Sequence, residues 1–123
     1  IQTQEPSGAA GLVAELYEGT REDGVLTVKV RFRNTGTEDI TKSFDTGHGD
    51  YRHFYVMAEN QKYFVLKDSD GAPLAPTYLH VSLEPGQTST WWAKFPAPPA
   101  GVAEFDLVMY ETPPFENIPI TDR

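Results

Sequence analysis

At 123 residues, with 39% hydrophobic and 23% charged side chains, the chain has the composition of one folded domain, not of a disordered segment. Eighteen acidic against ten basic side chains leave a net charge of -8, which repels a polyanion and excludes nucleic acid as the expected partner. With no cysteine there is no disulfide framework, thiolate nucleophile or sulfur-bound zinc, and no apolar run approaches the roughly 18 residues of a membrane span.

Residues 1–11 open polar and aperiodic (IQTQEPSG), which predicts a flexible N-terminal arm ahead of a single domain over 12–123. The chain starts at Ile1 without an initiator methionine, which leaves a cleaved leader or a trimmed chain open. Leu12 to Glu18 predicts a first strand, with Leu12, Ala14 and Leu16 on one side and a turn at TREDG. In VLTVKVRFRN, Leu26, Val28, Val30 and Phe32 alternate with Thr27, Lys29, Arg31 and Arg33. That period of two belongs to a half-buried antiparallel strand; a helix would scatter the charges around its circumference. Lys29, Arg31 and Arg33, the only close basic set, therefore form the wet face of one strand.

Phe54 to Ala58 and Lys62 to Lys67 read as a hairpin, and DSDGAP as a turn in which Gly71 supplies positive φ. Tyr78 to Leu83 ends in EPGQ, a type II turn sequence, before a strand from Thr88 to Phe95. PAPPAG stops that ladder because proline lacks the amide donor. Glu104 to Tyr110 forms a further strand, and TPPFENIPI an extended edge segment anchored by Phe115, Ile118 and Ile120. Short strands with turns about every ten residues, and no helical period, predict an antiparallel β-sandwich of seven or eight strands.

The stretch SFDTGHGDYRH, Ser43 to His53, invites a chemical reading. Asp45-Thr46-Gly47 matches the aspartic protease signature, which needs two carboxylates sharing one proton at the end of a buried strand. The preceding ITKSF is too polar for that strand, and no downstream apolar segment cradles the loop. Asp45, His48, Asp50 and His53 are the candidate metal ligands, but their spacing lacks the i, i+4 helical pairing that fixes two imidazoles on one face. DSDG resembles the start of a calcium loop, yet the twelfth position from Asp68 is Leu79, where that loop needs a bidentate glutamate. No serine sits in a nucleophile elbow beside His48, His53 or His80. No enzyme and no cofactor is read from these residues; a polar connection is the expectation, with ion binding or catalysis by the 45–53 loop as the alternative.

Adjacent strand residues point to opposite faces, so Trp91 and Trp92 cannot enter one core. Trp91 shares the inward face with Ala93 and Phe95, whereas Trp92 sits outside with Thr90 and Lys94. Trp92, Lys94 and Tyr51 are therefore the candidate binding residues, with Tyr55, Tyr63 and Tyr78 able to extend the surface.

The segments VKVRFRNTGTEDI, YFVLKDSDGAPL, LEPGQTSTWWAKFPAPP and PFENIPI, in this order, resemble bacterial secreted and cell-surface immunoglobulin-like domains. The same order occurs in the family of the mycobacterial secreted immunogenic protein and in the immunoglobulin-like domain of some actinobacterial OmpA-like proteins. The resemblance spans Leu12 to Ile120 and implies an immunoglobulin-like fold and a location secreted or anchored at the bacterial cell surface. It brings no catalytic residues. The expected function is a non-catalytic binding module for a protein partner, with a cell-wall glycan bound through exposed aromatics as the alternative.

Overall fold

The computed structural model describes residues 2–47 and 50–123, and all its regular structure there is β. Eleven strands follow in order: β1 (Gln2–Gln4), β2 (Leu12–Glu22), β3 (Val25–Asn34), β4 (Ile40–Phe44), β5 (Tyr55–Ala58), β6 (Gln61–Phe64), β7 (Leu79–Leu83), β8 (Thr88–Pro96), β9 (Glu104–Met109), β10 (Thr112–Pro119) and β11 (Thr121–Asp122). One sheet has the order β1-β2-β3-β8, with β11 also on β2; a second runs β10-β9-β5-β6; β4 and β7 pair separately. All pairings are antiparallel except β11 on β2. Side chains from the three sheets form one hydrophobic core, so the fold is sandwich-like.

The alternation in β3 holds along its whole length. Leu26, Val28, Val30 and Phe32 are fully buried, and each lies opposite an inward residue or small polar group of β8: Phe95, Ala93, Trp91 and Ser89. Phe105 and Leu107 of β9 meet them from the other sheet. Burial of each large apolar side chain contributes about 1.5–3 kcal/mol, which must offset the ordering entropy without a disulfide.

Two strands are longer than alternation alone suggests because bulges reset their phase. In β2 the register shifts between Leu16 and Glu18, leaving Tyr17 unpaired. Before the shift Leu12, Ala14 and Leu16 face inward; after it Gly19 and Arg21 do, so the expected turn after Glu18 is a continuing strand. The true turn is Asp23-Gly24, both at positive φ. In β10 two further shifts let Phe115 and Ile118, three apart, both point into the core. Gly19 is required where it stands: a Cβ there would lie 2.5 Å from Cε1 of Phe105.

The strand count exceeds the expected seven or eight because polar segments also pair. Gln2–Gln4, within the stretch expected to be a flexible arm, pairs with Leu16–Ala14 of β2. The Gln2 side-chain amide then donates to Glu116 O at 2.8 Å and accepts from Glu116 N–H at 2.7 Å, while Gln4 Nε2 reaches Pro114 O at 3.1 Å. Side-chain amides thus stand in for backbone pairing and tie β1 to β10 of the other sheet. On the opposite side, Leu66 N–H donates to Lys94 O and Lys94 N–H to Leu74 O, tying the segment after β6 to β8.

ITKSF, too polar by inspection for a buried strand, is β4. Ile40 and Phe44 enter the core, and Lys42 between them lays its stem inward and reaches Glu111 at 3.1 Å. Near the other end, Arg21 is buried and donates to the carbonyls of Pro98 and Pro99 and to both carboxylate oxygens of Asp122. The bonded partner lowers the Asp122 pKa and raises that of Arg21.

Candidate functional site

On either side of residues 48–49, the Ser43–His53 stretch is pinned by its own aspartates and by neighbouring strands. Asp45 accepts the Gly47 amide at 2.7 Å, and Asp50 accepts the Arg52 amide at 3.1 Å and faces Arg52 Nε at 3.4 Å. Ser43 Oγ lies 2.7 Å from His80 Nδ1, and the His53 ring packs 5.6 Å from that of Tyr110. Among the described residues no group of three metal-ligating side chains converges; His48 lies outside them. The two aspartates shape turns, as Asp68 does by accepting the amides of Asp70 and Ala72.

The loop's most consequential residue is Tyr51. The sequence offers it as a binding residue beside Trp92 and Lys94, but it is completely buried and belongs to the core. Its backbone takes φ of 56°, a left-handed conformation held by Tyr51 N–H to Thr46 O and Phe54 N–H to Tyr51 O. The ring packs edge-on to Phe54 and beside Trp91. Its hydroxyl donates to Pro76 O and accepts from Trp91 Nε1 at 3.2 Å. Burial drives the phenol pKa up, while the Trp91 hydrogen bond works the other way.

The other two candidate residues share a face as expected. Trp92, 39% exposed, and Lys94 both point outward from β8. Pairing sets Lys29 opposite Trp92 and Thr27 opposite Lys94, with Glu18 and Thr20 beyond them on β2. These side chains border an open groove of 620 Å³ on the outer face of the five-stranded sheet. Glu18 lies 3.5 Å from Lys29, and Glu15 holds Arg33 at 2.9 Å and Arg31 at 3.5 Å. The one basic set of the sequence is therefore neutralised by the neighbouring strand.

A contiguous apolar patch lies elsewhere. Tyr55 of β5 pairs with Phe64 on one side and Val108 on the other, all three outside the core on the outer face of the four-stranded sheet. Phe64 is 48% exposed and its ring stands 5.6 Å from that of Tyr55, over which Lys62 also lies. Met57 adds to the same face. A signal for it existed: Tyr55-Val56-Met57-Ala58 is apolar at every position, so this strand is greasy on both faces. Of the other tyrosines, Tyr63 packs against the core and Tyr78 is 72% exposed.

Compared with protein-family models, with curated proteins and with solved structures, the chain matches none of them. No helix among the described residues is long and apolar enough to cross a membrane.

Proposed function

We propose that the chain is a non-catalytic binding module of the immunoglobulin-like class that works at the bacterial cell surface by docking a protein partner on its four-stranded sheet. The observation that carries this reading is the row Phe64–Tyr55–Val108 on the outer face of that sheet, with Phe64 48% exposed and Tyr55 and Val108 half-buried. These side chains lie outside the buried core, and an exposed phenylalanine packed on a tyrosine beside a cation is the composition that interface hot spots favour. The surface location and the immunoglobulin-like topology rest on the order of strand and turn motifs described above; the mainly antiparallel sheets around one core are what such a topology requires.

The test is a photo-crosslinking amino acid placed at Phe64 and, as a control, at Glu84, with the chain displayed on the cells that produce it. Phe64 should yield a discrete protein adduct that Glu84 does not. Identical patterns from both positions, or no adduct at 64, would remove the reading.

A further inference from the structure

The Trp92 groove is a second surface with different chemistry. Three rows cross it from β2 through β3 to β8: Glu18, Lys29, Trp92; then Thr20, Thr27, Lys94; then Glu22, Val25, Pro96. Six of the ten cations sit within 4 Å of a carboxylate, namely Arg21, Lys29, Arg31, Arg33, Lys42 and Arg52. Lys62 caps Tyr55, leaving Lys67, Lys94 and Arg123 without a carboxylate among the described residues. Two of those three, Lys94 and Arg123, line this groove. The lining also holds Glu22 and Asp23, so together with Glu18 and Lys29 it carries three cations and three carboxylates, close to neutral on an otherwise acidic chain.

The indole beside them is also unused. Tyr17, Phe44 and Tyr55 each carry a cation of this chain over the ring, and Trp92 carries none among the described residues. Trp91 donates its ring N–H to Tyr51, whereas that of Trp92 has no acceptor there. Thr20, only 6% exposed, lines the groove, and its hydroxyl oxygen is buried without a partner among the described residues. A flat apolar ring with a free donor, a free ammonium two residues along the strand, and hydroxyls and carboxylates opposite match one ligand class.

We infer that this groove binds an acidic saccharide, a pyranose unit stacked on Trp92 with its carboxylate held by Lys94 and its hydroxyls directed to the β2 side. The volume of 620 Å³ suits one to three sugar rings. A long apolar peptide fits poorly, because Val25 and Pro96 are the only aliphatic neighbours in the three rows.

Calorimetric titration of the intact chain with a trimer of galacturonic acid and with its uncharged galactose counterpart tests this. The acidic trimer should bind saturably and more tightly than the neutral one, and added salt should weaken it. Trp92→Ala should weaken binding of the acidic trimer about tenfold, and Lys94→Gln should remove about tenfold of the preference for acid. Thermal melts of both variants should match the parent, and Phe64→Ser should bind the sugar unchanged, which separates this site from the proposed protein surface. No saturable binding of the acidic trimer, equal affinity for the neutral one, or full affinity in Trp92→Ala would overturn the inference.

Discussion

Replacing Tyr51 by phenylalanine removes one oxygen and leaves the ring in place, so it isolates what the hydroxyl does. That oxygen accepts the Trp91 indole N–H and donates to Pro76 O inside the core. Its loss orphans a buried donor and a carbonyl without opening a methyl-sized cavity. An unsatisfied buried group costs about 1–3 kcal/mol, against at most about 1 kcal/mol for losing a water-exposed hydrogen bond. For a chain of this length that corresponds to a fall in Tm of roughly 4–12 °C. Denaturant melts of Tyr51→Phe, Trp91→Phe and the double variant would measure it, and the two changes should be non-additive by more than about 0.5 kcal/mol because they break the same bond.

The same variant carries a pH signature. Burial raises the folded pKa of the Tyr51 phenol above its unfolded value, so the neutral phenol's contribution is intact below about pH 10 and lost as pH climbs through the folded value. Tyr51→Phe should flatten that alkaline loss. A cost under about 0.5 kcal/mol, strict additivity with Trp91→Phe, and an unchanged alkaline limb would together refute the role given to the loop.

Trp91→Ala should cost about 3–5 kcal/mol, as large aromatic truncations in cores do, while Trp92→Ala stays within about 0.5 kcal/mol in the same urea melts; equal losses would contradict the face assignment. Gly19→Ala drives a methyl against the Phe105 ring and should destabilise by about 1–3 kcal/mol. Gly101→Ala, where a Cβ meets nothing within 4 Å, serves as its neutral control. The lowered folded pKa of Asp122 means that its contact with Arg21 is fully present above the ordinary carboxylate pKa and is lost as pH falls through the lowered value. On acidification the Arg123 amide, which donates to Arg21 O, should therefore lose exchange protection before the β3 amides do. Asp122→Asn should show the same early loss at neutral pH; simultaneous loss across both strands would count against a separate β11 contact.

What could be read from the residues was what alternation encodes. β3, β8 and β9 carry one unbroken phase; the expected inward set of Leu26, Val28, Val30, Phe32, Trp91, Ala93 and Phe95 is buried throughout, and so are Phe105 and Leu107 of β9. Turn chemistry was equally legible, with Gly71 and Gly86 both at positive φ. Strands whose phase changes were not: the bulge at Tyr17 hides the second half of β2, and those in β10 make Phe115 and Ile118 look like isolated anchors. β1 carries no apolar signal because its long-range bonds come from glutamine amides. Tyr51 was misplaced because a tyrosine flanked by Asp50 and Arg52 looks wet, and only the fold brings Trp91 and Pro76 to its hydroxyl. The Phe64–Tyr55–Val108 row needs cross-strand register, which no single strand contains.

The alternation that gives Trp91 to the core and Trp92 to solvent underlies both the packing and the proposed saccharide groove. The most direct test is hydrogen exchange of the two indole N–H signals in a ¹⁵N-labelled sample. One resonance, assigned to Trp91 by its loss in Trp91→Phe, should persist in heavy water, while that of Trp92 disappears at once. Persistence of both, or rapid loss of both, would contradict the account.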